Sequence, residues 1–318
     1  MHATSIKKIH SRLSESENIL LITHDDPDVD AVGSIYAFSE YMEKHGMRHT
    51  IFFREESTEL YSFTASMKQP LGKEALKSEY DTIVIFDSSD LRHTGIEDFL
   101  KNLPDKTVLI NIDHHKTNVF YGHINLVMID AVSTTEILYD YFTHLKKDIT
   151  LPIARLILCG ILGDTNNFTN HNTTPKSIGI SSELLKTGIR IPQILKELRR
   201  VRTVSDLNAW GKTLEKIKRN EKHNIAYSVI AKDDWHGAKN EEAFSGLSNF
   251  LNNINGVEFS VLIRELPGNQ LKISMRSNSN LIDLAKFAKM FNGGGHKKAA
   301  GFSISGQLKK TENGWRIT

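Results

Sequence analysis

The sequence holds one cysteine in 318 residues. Cys159 therefore cannot close an internal disulfide, which excludes a disulfide-stapled scaffold. Its apolar setting, Leu156-Ile157-Leu158-Cys159-Gly160-Ile161-Leu162, reads as inert core. Long hydrophobic runs are lacking too: nothing approaches the roughly 18–20 apolar residues that span a bilayer. The first residues return to polar side chains before an apolar stretch of leader length accumulates, so a cytoplasmic protein without membrane contact is expected. Nor is there charge of one sign. Lys+Arg 40 against Asp+Glu 38 leaves a net charge of +2, and long duplex nucleic acid held by a basic surface is not expected as a partner. Internal repeats and low-complexity tracts are absent.

What is present suits a folded chain of about two domains. Charged residues make up 25% and AVILMFWYC 39%, the balance of a globular protein. Apolar runs at 19–23, 50–53, 82–86 and 107–112 read as strands. Helical spacing appears over 31–44, 135–145 and 152–162. Strands that are apolar throughout and separated by helices predict a parallel sheet covered on both faces. From 191 to 219 the chain turns charged and helical, and its Arg199, Arg200 and Arg202 read as a solvated face. Beyond lie strands at 225–230, 257–264 and 270–276, with a turn at Pro267-Gly268-Asn269, and helices near 241–253 and 281–291. The expected fold class is α/β. An N-terminal parallel-sheet domain with helices on both faces fills 1–190, a helical connector 191–222, and a smaller C-terminal α+β domain 223–318.

Acidic and histidine residues collect where the first-half strands end. They are His24-Asp25-Asp26-Pro27-Asp28-Val29-Asp30, then Asp87, then Asp113-His114-His115, and last Asp164 after Gly160-Ile161-Leu162-Gly163. Each has a plainer reading. Asp30 could cap a helix, the aspartates around Pro27 could be turn residues, and a lone His24 is more often structural than a ligand. In open α/β sheets, however, ligands bind outside the carboxyl ends of the strands, so these clusters would meet in one crevice. Together they favour a metal site. Asp and His donors without Cys suit Mn²⁺, Mg²⁺ or Fe²⁺ better than structural zinc. They are too many for one catalytic ion and enough for two sharing a carboxylate, an arrangement suited to in-line displacement at phosphorus.

His24-Asp25-Asp26-Pro27-Asp28-Val29-Asp30-Ala31-Val32-Gly33-Ser34 resembles the first motif of the DHH phosphoesterases. Asp87 matches their second motif, Asp113-His114-His115 the third, and Gly163-Asp164-Thr165 the fourth. Gly293-Gly294-Gly295-His296-Lys297-Lys298-Ala299-Ala300-Gly301 is similar to the signature of the DHH-associated substrate domain. The resemblance runs from 18 to 306 and is strongest to the compact nano-RNases, which also act on 3′-phosphoadenosine 5′-phosphate. It implies two divalent ions, most suitably Mn²⁺. One would be held by His24, Asp28 and Asp87, the other by Asp30, Asp87, His114 and Asp164, with Asp87 bridging and His115 facing the scissile phosphate. It also implies that Arg276, Ser277, Gly293, Gly294, Gly295 and His296 contact substrate. The fourth motif departs from the usual D-T-G, with Asn166 where glycine is expected. If that position has φ > 0, Asn is the best-tolerated replacement.

The expected function is hydrolysis of short single-stranded RNA, two to a few residues long, to nucleoside 5′-monophosphates, with 3′-phosphoadenosine 5′-phosphate as a second substrate. Dinucleotides and other small phosphonucleotides are the partners this implies, and a homodimer is compatible with it. A linear or cyclic dinucleotide phosphodiesterase is an alternative that the motifs do not separate. A pyrophosphatase or exopolyphosphatase shares the metal core but needs no base-sized pocket. A processive single-strand DNA exonuclease of the RecJ type needs further domains. A non-catalytic nucleotide sensor is disfavoured because every ligand position is filled.

Overall fold

The computed structural model describes residues 2–54, 64, 67–198, 203–235, 241–244, 246–279, 281–311 and 314–318. The basic cluster Arg199, Arg200 and Arg202 lies outside them. The chain forms two compact units that divide after Arg200.

The first unit runs α1 (His2–Glu15), β1 (Ile19–Ile22), α2 (Val29–Lys44), β2 (His49–Ile51), β3 (Thr82–Phe86), α3 (Glu97–Lys101), β4 (Val108–Asp113), β5 (Ile124–Val127), α4 (Thr134–His144), α5 (Leu151–Asp164), α6 (Pro175–Leu185) and α7 (Ile191–Leu198). All five strands are parallel, in the order β2-β1-β3-β4-β5. Alternate strand side chains feed two cores. Ile19, Leu21, Val84, Phe86, Ile110 and Ile112 pack with the long helices α1, α2, α4 and α5. Leu20, Ile22, Ile83, Ile85 and Leu109 pack with α3 and short helical turns. Both faces are thus covered, but unequally. The chain leaves β1 for β2 on one side and returns as β3 on the other, so the switch point of the topology lies between β1 and β3.

The second unit runs α8 (Val204–Glu215), β6 (Lys218–Asn220), β7 (Ile225–Ile230), α9 (Leu247–Leu251), β8 (Phe259–Leu266), β9 (Gln270–Arg276), α10 (Leu284–Lys289), β10 (Gly294–His296), β11 (Ala299–Ser305), β12 (Leu308–Thr311) and β13 (Gly314–Ile317). Its six-stranded sheet, β10-β11-β9-β8-β7-β6, is antiparallel except for β7 beside β8. Residues 191–222, expected as one connector, are shared out. Ile194 of α7 joins the first unit's core and Ala209 of α8 the second's. The helix expected over 241–253 contains a short helical turn and α9. Among the described residues no helix is long and apolar enough to cross a membrane.

Candidate metal centre

The side chains of interest stand outside the carboxyl ends of β1, β3 and β4 and at the end of α5. After β1 the chain passes His24 and reaches Asp28, the cap of α2, whose Oδ1 accepts the N–H groups of Asp30 at 2.9 Å and Ala31 at 3.1 Å. The capping role considered for Asp30 therefore belongs to Asp28. Asp30 is fully buried in the first turn of α2 and meets the start of α4. Its Oδ2 accepts the Thr134 N–H at 2.6 Å, and its Oδ1 accepts the Thr135 N–H at 3.0 Å and hydroxyl at 2.7 Å. A helix N-terminus supplies unpaired N–H groups and the positive end of its dipole, which suits a buried carboxylate.

Asp87 follows β3 with φ 53°, a left-handed backbone that side chains disfavour. Its Oδ1 accepts the Thr134 hydroxyl at 2.9 Å. His24 Nε2 lies 3.7 Å from Asp87 Oδ2. His114 Nε2 lies 3.4 Å from Asp87 Oδ1 and 3.3 Å from Asp164 Oδ2. His114 Nδ1 is 3.3 Å from the Ala131 carbonyl; donating there leaves Nε2 as the electron-pair donor toward the carboxylates.

Donor atoms fall into sets whose members all lie within 4.8 Å of one another: His24, Asp28 and Asp87; Asp30, His114 and Asp164; and Asp87, His114 and His115. Every ligand candidate from the sequence is in the first two. His115 belongs only to the third set; its Nδ1 is bonded to Asp113 Oδ1 at 2.7 Å, which leaves Nε2 as the ring atom that can meet a ligand or substrate. Asp25 is outside these sets and pairs with Arg54 at 2.8 Å.

The electrostatics suit a cation. Burial, then the neighbouring carboxylates, push the carboxyl groups of Asp30 and Asp164 well above their usual range. For Asp87 burial also opposes ionisation, but the hydrogen bond from His24 and the charges of His115 and His114 win and hold it low. His115 is pushed up to about 9: burial opposes this, and the bond to Asp113 and the charge of Asp87 overcome it. A crowd of oxygen and imidazole donors without thiolate, strained by its own negative charge, fits divalent cations.

Residues 18–161 match the DHH family N-terminal domain and residues 222–313 the DHHA1 domain. The chain thus carries a DHH domain followed by a DHHA1 domain. The bifunctional oligoribonuclease and PAP phosphatase NrnA of Bacillus subtilis is 29% identical over 299 residues, covering 92% of this chain and 91% of that protein. Its namesake in Thermus thermophilus is 27% identical over 289 residues, covering 91% and 84%. An exopolyphosphatase-related protein from Bacteroides fragilis has a similar solved structure, with TM-score 0.86, 25% identity and coverage of 96% of this chain and 92% of that one.

In the DHH domain, sequence reasoning missed the residues that hold the donors. Thr134 and Thr135 grip Asp30 and Asp87. The signal was there in Ser133-Thr134-Thr135-Glu136, an S-x-x-E helix start, with Ser133 Oγ accepting the Glu136 N–H at 3.1 Å. Gly160 of α5 was read only as core. A Cβ there would sit 2.3 Å from Thr135 Oγ1 and 2.4 Å from Asp30 Oδ1, so only glycine lets α5 pass. The departure at Asn166 is accommodated as expected: φ is 47°, and Asn167 and Phe168 follow at 60° and 65°. Asn170 and Asn172 donate to the Asp164 carbonyl at 2.9 and 3.3 Å.

In the DHHA1 domain the expected substrate residues share one corner of the sheet. Gly294, Gly295 and His296 pair with Gly301, Ala300 and Ala299, and Ala299 pairs with Arg276 on its other side. Arg276 Nε donates to Asn249 Oδ1 at 2.7 Å. Ser277 is buried, and its hydroxyl donates to the Glu258 carbonyl at 2.6 Å. A Cβ on Gly293 would meet the Gly301 carbonyl at 2.2 Å, and one on Gly295 the Ala299 carbonyl at 2.5 Å, whereas Gly294 faces open space. Close packing thus accounts for two of the three glycines. The helix stop is made by Asn292, with φ 56°.

Proposed function

We propose that this protein is a metal-dependent phosphoesterase that hydrolyses RNA of two to a few residues to nucleoside 5′-monophosphates and removes the 3′-phosphate of 3′-phosphoadenosine 5′-phosphate. The observation that carries the reading is the pair of adjoining donor sets around Asp87, in a chain that runs nearly the length of two bifunctional oligoribonucleases. In both reactions the bond that breaks joins phosphorus to a ribose 3′-oxygen, so one centre serves both substrates.

His24, Asp28 and Asp87 would hold one ion and Asp30, Asp87, His114 and Asp164 the other, with Mn²⁺ the best match to these donors. When bound, such ions polarise phosphoryl oxygens and acidify water. The chain's own residues do the rest. Thr134 and Thr135 fix the carboxylates of Asp87 and Asp30. His115, oriented by Asp113 through Nδ1, would donate from Nε2 to a phosphoryl oxygen or give a proton to the departing 3′-oxygen. Arg276 and the Gly293–Gly295 backbone bind the nucleotide together with His296, while Ser277 braces that corner through Glu258. In this reading the protein acts in the cytoplasm, where short RNA fragments arise.

An exopolyphosphatase is the second reading, favoured by the Bacteroides fragilis structure. Purified protein with Mn²⁺ should be tested on RNAs of increasing length, phosphoadenosine phosphate, a cyclic dinucleotide, pyrophosphate and polyphosphate. Fastest turnover on two- to four-residue RNA is expected. Faster release from polyphosphate or pyrophosphate would overturn the first reading in favour of the second.

A further inference from the structure

The His115 ring is set by a chain of amides, Asn118, Asn111 and Asn125, that runs from the loop after β4 into β4 and β5. The carboxylate of Asp113 is fully buried. Its Oδ1 accepts the His114 N–H at 2.8 Å and bonds His115 Nδ1 at 2.7 Å, while its Oδ2 accepts Asn118 Nδ2 at 2.6 Å. Asn118 supplies the bond on the oxygen that His115 does not use, and so fixes the rotation of the carboxylate. Asn118 is anchored in turn. Its Oδ1 accepts Asn111 Nδ2 at 2.9 Å and the Phe120 N–H at 2.8 Å. The second Nδ2 hydrogen of Asn111 goes to Asn125 Oδ1, also at 2.9 Å. Asn111 is fully buried inside β4, between Ile110 and Ile112. A buried amide in an otherwise apolar strand needs its partners to be tolerated, and an apolar residue would serve the sheet as well.

We propose that Asn118 is a positioning residue that orients His115 through the carboxylate of Asp113. This rests on the reading above that His115 faces the scissile phosphate. Asn111 and Asn125 keep Asn118 from turning, so the loop that carries His115 is tied to β4 and to the edge strand β5. A nitrogen misplaced by about 1 Å can cost on the order of 10²-fold in rate, which gives such a relay a measurable task.

The test is a double-mutant cycle on a diribonucleotide with Mn²⁺. Asn118→Ser shortens the side chain. Asn118→Asp keeps its shape and turns an acceptor toward Asp113. Each is made alone and on His115→Ala, with kcat, KM, bound metal and melting temperature measured. Alone, each should lower kcat about 10-fold or more, with KM and bound metal within about twofold. On His115→Ala, neither should lower kcat by more than about a further twofold. Losses that multiply across the two sites, or that appear as lost metal, would overturn the proposal. So would unfolding of both variants, which would make Asn118 a residue of the fold. If His115→Ala keeps full kcat, the assignment of His115 is what fails. If only the Asn118 variants keep full kcat, that assignment stands and the relay fails.

Discussion

The DHH donor cluster and the DHHA1 glycine corner are built from opposite materials. In the first, side chains do the work and other side chains hold them: Asp30 rests on Thr134 and Thr135, Asp87 on Thr134, and His115 on Asp113. In the second, bare backbone stands in place of side chains, and their absence is mostly a matter of packing, since Gly293 and Gly295 lie against β11 and, of the three glycines, Gly294 opens to space. Damage should therefore spread differently. A lost atom in the cluster should change chemistry while the fold survives. An added atom in the corner should change the fold before the chemistry.

The sharpest way to break this contrast is Asp87→Ala. It removes the carboxylate between the donor sets and should abolish binding of both ions and nearly all turnover; metal analysis finding two ions still bound would defeat the bridging role. Next comes Gly160→Ala, which adds an atom to the cluster rather than removing one. Overpacking of this kind costs about 1–3 kcal/mol, and here the colliding atoms belong to Asp30 and Thr135. The melting temperature should fall and metal affinity with it, whereas an unchanged metal titration would show that α5 simply moves aside. The two histidines come third. His114→Ala should lower metal occupancy. His115→Ala should keep the metal and lower kcat by about 10²-fold, and equal metal loss in both would contradict the division. The smallest effects are expected in the corner. Gly293→Ala should destabilise by about 1–3 kcal/mol. Gly294→Ala should cost less than about 1 kcal/mol while raising KM for a diribonucleotide. The opposite order in thermal melts would show that the Gly294 side is not open.

Strands β1 to β4 and helices α2, α4 and α5 were legible, the strands because burial on both faces writes continuous apolar runs, as in 82–86; α1, α6, β6 and β11 to β13 were not read. The run at 124–127, which forms β5, was not: Asn125 interrupts it, and its partner amide on Asn111 cannot be foreseen from spacing. β10 was missed because its two glycines carry no strand preference, and only pairing with β11 makes a strand of them. At the site, His24, Asp87 and His114 were readable as side-chain types at strand ends, whereas Asp164, expected at a strand end too, closes helix α5. Their supports were not, because Thr134 meets Asp30 across a separation of 104 residues, and only the folded sheet brings α4 there. Asp113 was read as part of a motif, and its service to His115 became visible only as a hydrogen bond.

Asp87 also marks where this protein gives up robustness. A residue with a Cβ at φ 53° carries a backbone penalty of about 1 kcal/mol or more that glycine would not. Selection for heat resistance alone would erase this residue early, because the backbone prefers its replacement. The ligand role proposed for Asp87 would account for an aspartate where glycine would fold better, and a screen for hardier variants should shield it from change.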